Sequence, residues 1–88
     1  MKVYVLVRDS ICHSDNVEIN VRVYNSIGDA RATMKNEYNA ELNDWKQSFD
    51  DDEMFEVEVE KNSRSIWESG RYVENHIAWE IEAKEVIE

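Results

Sequence analysis

The sequence predicts a two-layer α+β domain: an antiparallel sheet of four to five strands with one helix packed on one face, in the order ββαβββ. Three observations carry that expectation. Apolar and polar residues alternate in runs near both ends of the chain, one long segment between them repeats apolar residues every three or four positions, and clusters of Asp, Asn and Ser separate the runs.

The first strand is residues 2–8, KVYVLVR, where Val3, Val5 and Val7 alternate with Tyr4, Leu6 and Arg8 and β-branched residues dominate. Residues 9–16, DSICHSDN, are rich in side chains that bond their own backbone and read as a long hairpin loop. In the second strand Val17, Ile19, Val21 and Val23 face one side, and Glu18, Asn20, Arg22 and Tyr24 the other. Ser26 then offers an N-cap, with Asp29 three residues on as a variant of the capping box, so a helix starts near Ile27. Ile27, Ala30, Met34, Tyr38, Leu42, Trp45 and Phe49 line its apolar face, while Arg31, Lys35, Glu37, Glu41, Asp44 and Lys46 fall elsewhere on the wheel. The acidic run at residues 50–53 ends it, because carboxylates are unfavourable at the negative end of the helix dipole.

In the third strand Phe55, Val57 and Val59 alternate with Glu56, Glu58 and Glu60. Lys61, Asn62 and Ser63 make a turn into a short strand at residues 65–68, which Ser69 and Gly70 close. From Tyr72 the chain is extended again, with Ile77, Trp79 and Ile81 on one side and His76, Ala78, Glu80 and Glu82 on the other. Residues 83–88 have no clear period.

Eighty-eight residues make one domain, spanning 1–88, with no repeat, low-complexity tract, linker or proline to divide it. At 42% hydrophobic residues the chain is too apolar for a disordered acidic tail, and no apolar run approaches the roughly 18 residues of a membrane helix. The single cysteine, Cys12, cannot close an intramolecular disulfide, and Arg8 and Asp9 interrupt the N-terminal apolar run before it reaches the length of a signal peptide. Cytoplasmic residence is the expectation. The formal charge of -10 disfavours direct binding to nucleic acid or anionic lipid, and a charged partner is expected to be basic.

That charge is concentrated. From Trp45 onward thirteen acidic residues face five basic ones, against seven and five before it. Glu56, Glu58 and Glu60 recur on one side of a strand at about 6.5 to 7 Å, and Asp50, Asp51, Asp52 and Glu53 extend the row. Together with Glu80 and Glu82 they make a surface that imitates a row of phosphates and suits a Lys/Arg groove meant for nucleic acid. The plainer reading is a solvated face kept soluble by Glu and partly neutralised by Arg8 and Arg22.

Cys12, His13, Asp15 and His76 carry the atoms of a zinc site, yet Cys12 and His13 are adjacent and His76 is distant, so the spacing favours a polar loop and no cofactor is expected. An EF-hand reading of residues 50–53 fails, because its loop needs a glycine and none lies between Gly28 and Gly70. No phosphate-cradling loop, nucleophile elbow or HExxH pattern is present, and a noncatalytic protein is expected. Tyr4, Leu6 and Tyr24 lie opposite the valine rows. With one sheet face covered they would be exposed, and the favoured reading is that Trp67 and residues 86–87 fold over them, the alternative being a homodimer interface.

The segment Arg71-Tyr72-Val73-Glu74-Asn75-His76-Ile77-Ala78-Trp79-Glu80-Ile81-Glu82, with the opening KVYVLV strand and a Tyr- and Trp-bearing helix, resembles short acidic proteins carried by bacterial phages and mobile elements. Among these, anti-CRISPR inhibitors suit a concentrated negative surface, because RNA-guided nucleases hold nucleic acid in positive channels. The resemblance implies an inhibitor, acting in the cytoplasm of a bacterial host, that binds a basic nucleic-acid-handling protein such as a CRISPR nuclease and blocks nucleic acid loading. The alternative is an interaction or assembly module of a mobile element that works as a homodimer.

Overall fold

The computed structural model describes residues 1–12, 16–48, 55–69 and 75–87. The elements follow in the expected order: β1 (Lys2–Cys12), β2 (Asn16–Tyr24), α1 (Ile27–Ser48), β3 (Phe55–Val59), β4 (Ser63–Glu68) and β5 (His76–Glu85). The strands form one five-stranded antiparallel sheet in the spatial order β2-β1-β5-β4-β3. The helix lies over β1, β2, β4 and β5, giving the two-layer α+β fold. No helix among the described residues is long and apolar enough to cross a membrane.

α1 begins where its cap predicts. The Gly28 and Asp29 amides donate to Ser26 Oγ at 3.1 and 3.4 Å, satisfying two of the donors that a helix start leaves unpaired. Ala30, Met34, Tyr38 and Trp45 are buried on its inner face and Leu42 packs against the same core. Phe49, expected to continue that face, lies outside the described residues.

β1 continues four residues beyond Arg8, through part of the stretch that reads as a loop. The reason is its central place in the sheet. Asp9 and Ser10 pair with Ile19 and Glu18 on one side and with Ala78 and Ile77 on the other, so ladder bonds from two neighbours outweigh local turn preference. β5 likewise runs on to Glu85, because Lys2, Val3 and Tyr4 pair with Glu85, Lys84 and Ala83.

The larger correction concerns which face of β1 and β2 is inside. Leu6 is 0% exposed beneath the helix with Tyr4 and Tyr24 packed beside it, whereas Val17, Ile19, Val21 and Val23 are 61, 68, 57 and 62% exposed. The expected dimer surface of Tyr4, Leu6 and Tyr24 is therefore covered, and α1 covers it. Trp67 lies on the opposite face, and Ile87 is exposed. Register explains the inversion. Leu6 stands opposite Ile81 and Arg8 opposite Trp79, while Val5 and Val7 stand opposite Glu82 and Glu80. Paired residues of antiparallel strands share a face, so the valines go wherever the glutamates go. Burying Ile77, Trp79 and Ile81 with Leu6 and Ile66 against Met34 and Tyr38 gathers the largest side chains into one core. Tyr38 meets Trp79 edge-on at 6.0 Å between ring centroids, and Trp45 meets Phe55 at 5.8 Å.

Candidate functional site

The face of the sheet away from the helix is divided by composition. Across β3, β4 and β5 it carries Glu56 and Glu58, then Trp67, Ser65 and Ser63, then His76, Ala78, Glu80 and Glu82. Glu60 closes the row just beyond β3, where Ser63 Oγ donates to its Oε2 at 3.2 Å. Glu80 is the cross-strand partner of that same Ser63, so Glu60 and Glu80 flank one serine about 10 Å apart, two strand spacings. Trp67 Nε1 donates to Glu56 Oε2 at 3.0 Å and fixes that carboxylate over the indole edge. Lys84 reaches Glu82 at 3.4 Å, an exposed pair of little strength. Among the described residues, Glu58 and Glu80 have no ion-pair partner.

The arginines expected to neutralise this ladder lie elsewhere. Arg8 and Arg22 are on the helix side, where Arg22 Nη2 sits 2.6 Å from Glu37 Oε2 and Arg8 Nη2 3.7 Å from Glu41 Oε2. Glu37 also accepts from Trp79 Nε1 at 3.2 Å, so one carboxylate ties α1 to β2 and β5. Arg64 lies over the Tyr38 ring at 5.0 Å, Arg8 over Trp79 at 5.8 Å, and Arg31 donates twice to Asn62 Oδ1 at 3.0 and 2.9 Å. Burial pushes the Tyr38 hydroxyl above the usual 10.0, and Arg64 offsets part of that rise by favouring the phenolate. The helix layer thus engages Arg8, Arg22, Arg31 and Arg64, and on the other face of the described residues the carboxylates have Lys84 beside them.

No family model, no curated protein and no solved structure matches this chain.

Of the sequence-predicted partner-binding residues, the structure brings Glu56, Glu58, Glu60, Glu80 and Glu82 onto one face, and Asp9, opposite Ala78, joins them. Asp50, Asp51, Asp52 and Glu53 lie outside the described residues. So do His13 and Asp15 of the candidate zinc set, and the Cys12 side chain. His76 stands between Ile11 and Trp67 on the open face, the outward strand position the sequence assigns it. Among the described residues no group of three or more His, Cys, Asp and Glu is placed to hold a metal ion.

The second half of the open face was missed. Val5, Val7 and Ile11 on β1 stand opposite Val23, Val21 and Val17 on β2, forming an apolar surface beside the acidic one. The signal lay in the last strand, whose outward Glu80 and Glu82 share a face with whatever pairs with them. On the helix side, a depression of about 430 Å³ lies between the C-terminal half of α1 and the sheet, lined by Arg8, Ser10, Glu41, Asp44 and Trp45. Its arginine is already turned to Glu41.

Proposed function

We propose that this protein is a noncatalytic binding protein whose acidic half-face occupies a basic, nucleic-acid-handling surface of another protein and keeps nucleic acid from loading there. One observation carries the reading: Glu56, Glu58, Glu60, Glu80 and Glu82 share one face of a rigid sheet, while Arg8, Arg22, Arg31 and Arg64 are engaged at the helix layer. Carboxylates borne on paired strands present negative charge at intervals set by the strand repeat. The partner is a protein with a Lys/Arg-lined channel. An RNA-guided CRISPR nuclease is the candidate that the resemblance to small acidic phage proteins adds.

The test is capture on the immobilised protein from lysate of a bacterium that carries CRISPR effectors, with washes at low and high salt and identification by mass spectrometry. The reading expects a nucleic-acid-binding protein that is held at low salt, released at high salt and displaced by added DNA. A triple variant, Glu56→Lys, Glu58→Lys and Glu80→Lys, is expected to hold none of it. Retention of the same partner by the reversed variant, or capture that ignores salt, overturns the reading.

A further inference from the structure

Beside the acidic ladder, the open face carries an apolar surface that the proposed function does not use. Val17, Ile19, Val21 and Val23 project from β2, an edge strand, and Val5, Val7 and Ile11 continue the surface onto β1. In a chain of 88 residues with a small core, five exposed β-branched side chains, with Val5 and Val7 half-buried beside them, leave apolar area in water at a cost of about 25 cal/mol per Å². Charge is nearly absent from the patch. Among the described residues Asp9, opposite Ile19, is the carboxylate within it, because Glu18 and Arg22 of β2 point to the helix side.

We infer that the β1–β2 half of the open face is where a second copy of this chain packs, sheet against sheet, to form a two-fold dimer. Two features select a second copy as the occupant. The first is area: Ile11, Val17, Ile19, Val21 and Val23 are 37, 61, 68, 57 and 62% exposed, and an identical surface laid on them doubles the apolar area buried toward the about 1,000 Å² a specific interface needs. The second is where the charge sits. A two-fold axis running along the strands between β1 and β2 lays β2 of each copy on β1 of the other, with the sheets about 10 Å apart. The strand order then carries β5, β4 and β3 of the two copies away to opposite sides. Glu80 and Glu82 of one copy end more than about 15 Å from those of the other, beyond the screening length of about 10 Å at 0.1 M salt. A chain of charge -10 can therefore pair with itself without bringing its acidic halves together. Asp9 is the exception: it meets the partner surface near Ile19 and weakens the dimer it sits in.

This inference does not rest on the proposed function, and its salt dependence has the opposite sign: self-association strengthens as salt screens the two like-charged copies, whereas capture of a basic partner weakens. The experiment is sedimentation equilibrium of the wild-type chain across micromolar to millimolar concentration, at low and high salt, alongside Val21→Lys and Asp9→Asn. The wild type is expected to shift from one chain to two with rising concentration, and to do so earlier at high salt. Val21→Lys lowers the net charge yet is expected to stay monomeric with an unchanged circular dichroism spectrum, because Val21 contributes nothing to the core. Asp9→Asn is expected to dimerise several-fold more tightly. A wild type that stays monomeric throughout, or a dimer that Val21→Lys leaves intact, overturns the inference; the former leaves the patch to a different protein.

Discussion

Glu37 shows how much of this fold hangs on a few polar side chains at the boundary of the core. It takes an ion pair from Arg22 at 2.6 Å and a hydrogen bond from Trp79 Nε1 at 3.2 Å, joining the helix to the sheet's edge strand and to its central one. At the next residue, Tyr38 packs edge-on to the same Trp79 and under Arg64. Burial holds its hydroxyl protonated above the usual 10.0, so the folded chain keeps that proton more tightly than the unfolded chain does. The stability this contributes is complete below pH 10.0 and is lost as pH rises through the folded value. Urea unfolding on either side of pH 10.0 is expected to show a fall in midpoint on the alkaline side that is smaller in Tyr38→Phe. Equal alkaline losses in the two proteins would place the sensitive group elsewhere. Glu37 was legible only as a residue off the apolar stripe, because periodicity says where a side chain points and nothing of which donors meet it.

At the scale of elements, much could be read from the sequence, and the exception is instructive. The helix announced itself through Ser26 at its start and through Ala30, Met34, Tyr38 and Trp45 on its inner face, all of which the structure places as the spacing requires. β5 was equally clear, since Ile77, Trp79 and Ile81 alternate with charged and small residues. β1 was not, because Val3, Val5 and Val7 compete with Tyr4 and Leu6, and both sides of the strand are apolar. Alternation alone cannot choose between two apolar faces; pairing with β5 chooses, and pairing is a nonlocal fact. Leu6→Ala is accordingly expected to cost about 3 kcal/mol, in the range for a fully buried leucine, while Val21→Ala stays within about 0.5 kcal/mol. Chemical denaturation of the two variants checks this. Were the valine rows the interior, the order of the two costs would be reversed.

For the whole molecule, the two-faced sheet separates labour: arginines and aromatics hold the helix layer, and carboxylates and valines divide the open one. The acidic half was visible in the clustering of charge along the chain, but its isolation from Arg8 and Arg22 was not, because that depends on which face the register assigns them. With a net charge of -10, self-repulsion opposes compactness. Raising salt to about 0.5 M is expected to lift the thermal midpoint by a few degrees, and a fall would mean that the ion pairs around Glu37 and Glu41 outweigh the repulsion. The strand order has a further consequence, for the time course of folding. β1 and β5, the first and last strands, are neighbours in the middle of the sheet, and Lys2 pairs with Glu85. A chain leaving the ribosome can form the β1–β2 ribbon and the β3–β4 ribbon early, but each has a bare inner edge until β5 is made and slots between them. That closing step joins residues far apart in sequence, so it sets the pace of folding, and the newborn protein passes its vulnerable interval as two unjoined halves.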